Sequence, residues 1–293
     1  MDFATWDTLF NLLLLVFWFR IWSPHDRDVH FNPYLSPVGQ LGAKSIEFLR
    51  PVFFGLSSRW IAAATLVFLM ALRGIAAPTA PNAWVLRFGF EMQQCGSGVG
   101  ACILFSALSF GVFLFKLWGF SLVYARQNPS TLGNTGGAIH HLSRPFTTSR
   151  VEYRPIILIG FGLVLAFALN MAGAPASAGM PFALRSSAGD GTLPSLLLHY
   201  GISSLAAWVD VLLIIRILLI LLIIGSWISM FASSHGIMMF CRDWMDMLLG
   251  PMRRFPIRIG MFDLTPLVFL LAIQMLIYPI LMGVLLSSYG RLP

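Results

Sequence analysis

Six apolar runs dominate the chain, at roughly residues 5–22, 55–77, 101–124, 155–174, 205–232 and 264–288. Each is long enough for the ~20 helical residues that cross a bilayer. A backbone in hydrocarbon must satisfy its own polar groups, and a helix does so within one segment. The runs therefore predict an all-α membrane protein with six transmembrane helices. Composition agrees, since 57% of the 293 residues are hydrophobic and 11% charged, whereas soluble domains carry about 25% charge. The first run is the weakest, with Asp7 and Asn11 near one end and Arg20 near the other. It spans if those ends reach the interface, where Trp6, Trp18 and Trp22 would form an aromatic belt. With no basic leader and no small-residue cleavage site, it reads as a retained span.

The formal net charge of +7 is concentrated in alternate connections. Residues 23–54 hold Arg27, Lys44 and Arg50; 125–154 hold Arg126, Arg144, Arg150 and Arg154; 233–263 hold Arg242, Arg253, Arg254 and Arg258. The other connections carry chiefly Arg87 and Arg185. Positive charge stays inside, so the three basic linkers are expected in the cytoplasm and both termini outside, in a multi-pass protein of the bacterial inner membrane. The linkers also echo one another. Arg20-Ile21-Trp22 with Asn32-Pro33 recurs at the same spacing as Lys116-Leu117-Trp118 with Asn128-Pro129, and Arg50-Pro51 recurs as Arg144-Pro145. Leu249-Gly250-Pro251 falls near the corresponding place in a third unit. The chain thus reads as three helix–basic linker–helix hairpins, at 1–80, 81–180 and 181–293. Residues 41–49 and 237–249 are short amphipathic stretches, suited either to the membrane interface or to packing on their own bundle. Basic charge in such loops points to anionic phospholipid; no basic stretch interleaved with exposed aromatics suggests nucleic acid.

The most specific motif is Gly250-Pro-Met-Arg-Arg-Phe-Pro-Ile-Arg-Ile-Gly-Met-Phe-Asp-Leu-Thr-Pro266. Arginines suit anionic headgroups, prolines end one helix and open another, and Asp263 or Thr265 can cap the helix that follows. The string resembles the signature of the YggT (YlmG) family of integral membrane proteins. Pro256 comes one place early, Met261 replaces a second glycine and Thr265 replaces serine. Ser226-Trp227 stands where that family has Ser-Trp at the end of the preceding helix. Members generally have one or two hairpins, and this chain looks like an enlarged relative. The resemblance implies a role in assembling or organising membrane complexes, including cofactor attachment in chloroplast electron-transfer complexes, or in bacterial osmotic tolerance. It carries over no catalytic residue set and no cofactor.

Arg73, Lys116, Asp210 and Arg216 interrupt the runs, at about 2.5–3.5 kcal/mol each for a charge at the centre of a span. Arg73 and Lys116 lie near span ends and are expected to snorkel. Arg216 is eleven residues from Trp227 and needs a specific polar partner. Asp210 is six residues away, about 240° around a helix, and cannot pair with it along one face. His140 and His141 are adjacent and point apart, and the linker histidines, His25, His30 and His235 included, read as solvated rather than metal-binding. Gly133 to Gly137 reads as a flexible turn, and Cys95 and Cys102 read more readily as free thiols than as a disulfide. No nucleophile, base and orienting group assemble, so no enzyme is expected.

Two functions remain. The first is a non-catalytic subunit or assembly factor that binds anionic lipid through Arg50, Arg144, Arg253, Arg254 and Arg258 and docks other membrane-protein subunits. The second is a small ion channel or transporter built on Lys116, Asp210 and Arg216. The charge asymmetry makes a direct prediction about orientation. In intact cells, an impermeant thiol reagent should label single cysteines at Ser186 or Ser288 and miss those in the three basic linkers. Labelling of any linker would reverse the orientation, and disagreement among the three would remove the hairpin repeat.

Overall fold

The computed structural model describes residues 3–23, 27–53, 55–76, 84–95, 98–124, 133–175, 193–231, 235–250, 257–259 and 262–290. His25, Arg126, the Asn128-Pro129 pair, Arg185, Arg253, Arg254 and Pro256 lie outside the described residues. Among the described residues, five helical stretches are long and apolar enough to cross a membrane: Ser58–Ala76 (α4), Val99–Tyr124 (α5), Arg154–Ala172 (α7), Leu197–Ser229 and Thr265–Tyr289. The protein is a multi-pass, predominantly helical membrane protein. Helix α1 (Phe3–Trp22) is continuous and carries Asp7, Asn11 and Arg20; it is not among the five.

Helix α5 is the hub. It packs against α1, α4, α7 and the later helices, and Phe105, Phe115 and Leu114 on it are almost fully buried. Lipid supplies no hydrophobic drive between helices, so close approach at small residues matters. A methyl group added at Gly111 would meet Leu165 at 2.7 Å, and one at Gly119 would meet Trp208 at 2.7 Å.

The fifth apolar run is two helices rather than one. Helices α8 (Leu193–Val209) and α9 (Val211–Phe231) meet at a break on Asp210. Span six is also irregular. Helix α11 (Thr265–Ala272) passes through a π-helical turn at Ile273–Ile277 into α12 (Tyr278–Tyr289). Pro279 lacks the amide that would close the ladder, and the wider turn beside it absorbs the defect. At the start of α11, Asp263 Oδ1 accepts from the Thr265 amide at 3.0 Å, while the Thr265 hydroxyl accepts from the Ile257 amide. The expected capping residues thus divide the work: one holds the helix, the other pins the linker.

The linkers hold helices α2 (Arg27–Phe31), α3 (Ser36–Leu49), α6 (Gly133–Leu142) and α10 (His235–Leu249). The expected flexible turn at 133–137 is instead the first part of α6. Its weak glycine-rich propensity is overridden by packing: Thr135 and Ala138 are buried, and Asn32 Nδ2 donates to the Asn134 carbonyl at 2.7 Å. Helix α10 folds back along α9, with Cys241 against Gly225 and Leu248 and Leu249 buried.

An element that the apolar pattern did not predict is a sheet. Strands β1 (Val85–Phe88) and β2 (Glu91–Cys95) form a hairpin, and β3 (Gly173–Pro175), running on from α7, pairs with β2. The hairpin is inserted into the bundle. Trp84 packs on Phe105 at 5.3 Å and Phe88 on Phe115 at 5.0 Å, so it descends about 15 Å along α5. Non-helical backbone at such depth must be enclosed by protein. Ser203 of α8 encloses the tip: its hydroxyl donates to the Phe88 carbonyl at 3.0 Å and accepts from the Phe90 amide at 3.3 Å. Gly89 opens the two-residue turn at φ +60, as a type II′ hairpin prefers, and any Cβ there would overlap the Ser203 carbonyl. The hairpin base is tied to α5 by a Cys95–Cys102 disulfide. The expectation of free thiols is corrected: β2 brings two cysteines seven residues apart to a Cα separation of 5.7 Å.

If the tip is a keystone, Gly89→Val should destabilise the detergent-solubilised protein by about 2–5 kcal/mol, combining backbone strain and overpacking. Gly283→Val, where an added Cβ meets nothing within 4 Å, is the control. Equal thermal unfolding midpoints for the two variants would show that the hairpin does not hold the bundle together.

Candidate functional site

Two polar clusters lie among the spans. The first is centred on Arg73, which does not snorkel: it is buried at 8% exposure. Its Nη1 donates to Asp7 Oδ1 at 3.1 Å and to Asn11 Oδ1 at 2.9 Å, its Nε to Ser106 Oγ at 2.8 Å, and its Nη2 to the Ser106 carbonyl. Phe10 and Trp84 present ring faces to the guanidinium at 5.2 and 5.1 Å. Asp7 also accepts from Ser109 Oγ at 2.8 Å and Trp84 Nε1 at 3.2 Å. The polar residues that weakened the first span in sequence are therefore what attach it. The sequence places Asp7 and Arg73 on different spans, and nothing local to either marks the pairing.

The second cluster lines a seam between α8 and α12, with the inserted hairpin beside it. At one level Glu91 Oε1 stands 2.9 Å from His199 Nε2, and the Tyr289 hydroxyl stands 2.7 Å from the same nitrogen. At a second level the Tyr278 hydroxyl donates to Asp210 Oδ1 at 3.1 Å, and Arg87 reaches the Tyr278 hydroxyl. Arg87 and Lys116 both lie within electrostatic reach of Asp210. His199 and Asp210 are eleven residues apart, as are Tyr278 and Tyr289. Eleven residues make about three helical turns, so Tyr278 and Tyr289 share one stripe of α12, and His199 on α8 and Asp210 at the break that follows it stand opposite them. That double spacing was legible in the sequence, although the hairpin that supplies Glu91 and Arg87 was not.

The remaining site candidates are dispersed. Lys116 is half-buried beside the seam rather than snorkelling freely. Arg216 on α9 is half-buried, and its Nε has no hydrogen-bond partner among the described residues. Arg50 is exposed at the end of α3, whereas Arg144 donates to Ser23 Oγ at 3.3 Å and its carbonyl accepts from Trp18 Nε1 at 2.8 Å. Arg258 lies on β4 (Arg258–Ile259), paired with β5 (Phe262–Asp263). Arg154 is buried, donating to the Thr147 and Ser149 carbonyls, beside a cleft of about 510 Å³ lined by Leu122, Val123, Glu152, Pro155 and Trp208.

The linker electrostatics differ from the expected solvated histidines. His141 is buried, and His140 is pushed down to about 4, first by burial and then by His141, Arg144 and Arg154. His30 and His235 are exposed. Tyr34 is pushed up to about 12 by burial and by Asp243, to which its hydroxyl donates at 2.8 Å. Among the described residues no group of three or more His, Cys, Asp or Glu could hold a metal ion.

Breaking one side of a buried ion pair costs about 3–5 kcal/mol. Asp7→Asn and Arg73→Met should each destabilise the protein by that order, and the double variant should fall short of their sum by about 1–3 kcal/mol. Equilibrium unfolding in micelles measures the cycle; strictly additive losses would mean the pair is not coupled.

No curated protein and no solved structure matches the chain. Residues 205–285, which run from the end of α8 through α9, α10 and most of span six, match the CCB3/YggT family model. The C-terminal region, Asp210 and Tyr278 of the polar seam included, is thus similar to the CCB3/YggT family.

Proposed function

We propose that the protein is a non-catalytic membrane subunit or assembly factor of the bacterial inner membrane that holds anionic lipid and docks a larger membrane complex. In this reading α1 is a sixth span, the chain is three helix–basic linker–helix hairpins, the linkers are cytoplasmic and both termini are outside. The Cys95–Cys102 disulfide supports that orientation independently of the charges, because disulfides persist in oxidising compartments. The observation that carries the docking reading is the cover on span six. Only 6% of its membrane window is buried, against 50% for α5, although it lies in the region that matches the family model. Its outer face is left for lipid or for another subunit.

The alternative, a small channel or transporter, draws on the seam of Glu91, His199, Arg87, Asp210 and Lys116. Against it, the hydrogen-bonding groups at each level are committed to one another: Glu91, His199 and Tyr289 at the first, Tyr278 and Asp210 at the second.

Lipid binding rests on Arg253, Arg254 and Arg258, at about 1 kcal/mol per cation near an anionic surface. Replacing all three with glutamine should reduce the phosphatidylglycerol retained through detergent purification, most strongly at low salt. Full retention at both low and high salt would leave the arginines as orientation signals only. Purification of the unaltered protein in mild detergent tests docking: a stoichiometric second subunit supports it, and a lone protein with a hydrated central cavity supports the channel.

A further inference from the structure

Exposed apolar surface on a span ordinarily means lipid, so the polar groups on such a surface are the informative ones. Span six carries one at its π turn: Gln274 is exposed, and no hydrogen bond satisfies it among the described residues. Arg216, whose Nε also lacks a partner, comes to nearly the same level. Tyr278 meets Asp210; six residues onward along α9 lies Arg216, and four residues back along span six lies Gln274. Ile215 and Ile273 are buried in one apolar cluster that also takes in residues of α5, α6 and α10, and α9 packs directly against α11 and the π turn. In an antiparallel pair, the residues that follow two facing positions emerge on the same side of the seam. Arg216 and Gln274 therefore flank one edge of it, and the apolar positions nearby are open: Ile217 at 52%, Met275 at 71% and Ile280 at 59%.

We infer that this edge is the docking site for a transmembrane helix of a partner subunit, and that the helix carries a carboxylate which takes the Arg216 guanidinium while the Gln274 amide donates beside it. The inference rests on the docking reading above and gives the partner its chemistry. A guanidinium and an amide at one level, ringed by open apolar side chains, complement a single buried acid on an otherwise apolar helix. A lipid headgroup fits less well, because Arg216 is eleven residues, about 16 Å of helix, from Trp227. A second copy cannot supply the acid from its described residues. Asp7, Glu91 and Asp210, the described acids on the spans and the inserted hairpin, are each already hydrogen-bonded.

A photo-crosslinking amino acid placed at Met275 or Ile217 of the full chain, in native membranes, tests this. The expected product is an adduct with a different membrane protein, whose linked peptide lies in a span containing Asp or Glu. Arg216→Met should lower its yield by about tenfold, the scale of one intramembrane polar contact, and Arg216→Lys should retain most of it. Gln274→Leu, an exposed substitution that leaves the interior packed, should also lower the yield and serves if Arg216→Met fails to give a monodisperse protein. Adducts only with lipid or with a second copy, or with a span lacking an acid, would overturn the inference. So would a protein adduct whose yield ignores both substitutions, and that result would leave the docking reading standing. The absence of any protein adduct, together with no co-purifying subunit, would remove the docking reading itself.

Discussion

The Asp7–Arg73 pair is the interaction on which the first half of the bundle depends. A guanidinium buried among apolar helices is tolerable only when a counter-charge and several acceptors meet it at once. Here α1 provides Asp7 and Asn11, α4 provides Arg73, α5 provides Ser106 and Ser109, and the residue before β1 provides Trp84. Four separate pieces of chain are fixed relative to one another by one charge. Helix α1 carries Asp7, Asn11 and Arg20 along its apolar run, and it is held by Asp7 and Asn11 rather than in spite of them.

That arrangement also sets the start of the inserted hairpin. Trp84 touches Asp7 with its indole N–H and Arg73 with its ring, and from there β1 runs down α5 to Phe88. The Cys95–Cys102 bond and the pairing with β3 secure the return strand. At the tip, Ser203 satisfies backbone groups that hydrocarbon would leave bare. The hairpin consequently joins the first spans to α8 and α12, adding Glu91 and Arg87 to the polar groups with which those two helices already meet each other. Polar complementarity takes the place of the hydrophobic drive that is missing between helices in lipid.

How much of this was legible follows from the range of each signal. The spans α4, α5 and α7, and the linker helices α3 and α10, came within a few residues of their expected places, because apolar length and helical periodicity are local. The break at Asp210 and the π turn before Pro279 could be read only in part. Asp210 looked like a stray charge, and its meaning depended on Tyr278, 68 residues away. Residues 133–137 read as a turn because their glycines oppose helix formation, and packing, with Asn32 among the partners, reverses that. His141 was expected in solvent for the same reason: burial is decided by what the neighbouring elements cover.

The sequence by itself determined that this is a multi-pass membrane protein, where most of its helices run, and that its C-terminal region resembles the YggT family. These are properties of composition, of period and of a contiguous motif. Tertiary structure alone decided that Arg73 is buried and paired, that the 84–95 segment is a hairpin inside the bundle, and that Cys95 meets Cys102. It also decided that Arg216 and Gln274 share an edge. The physical reason is common to all four: each depends on where separately folded segments meet, and no pattern within one segment encodes its partner.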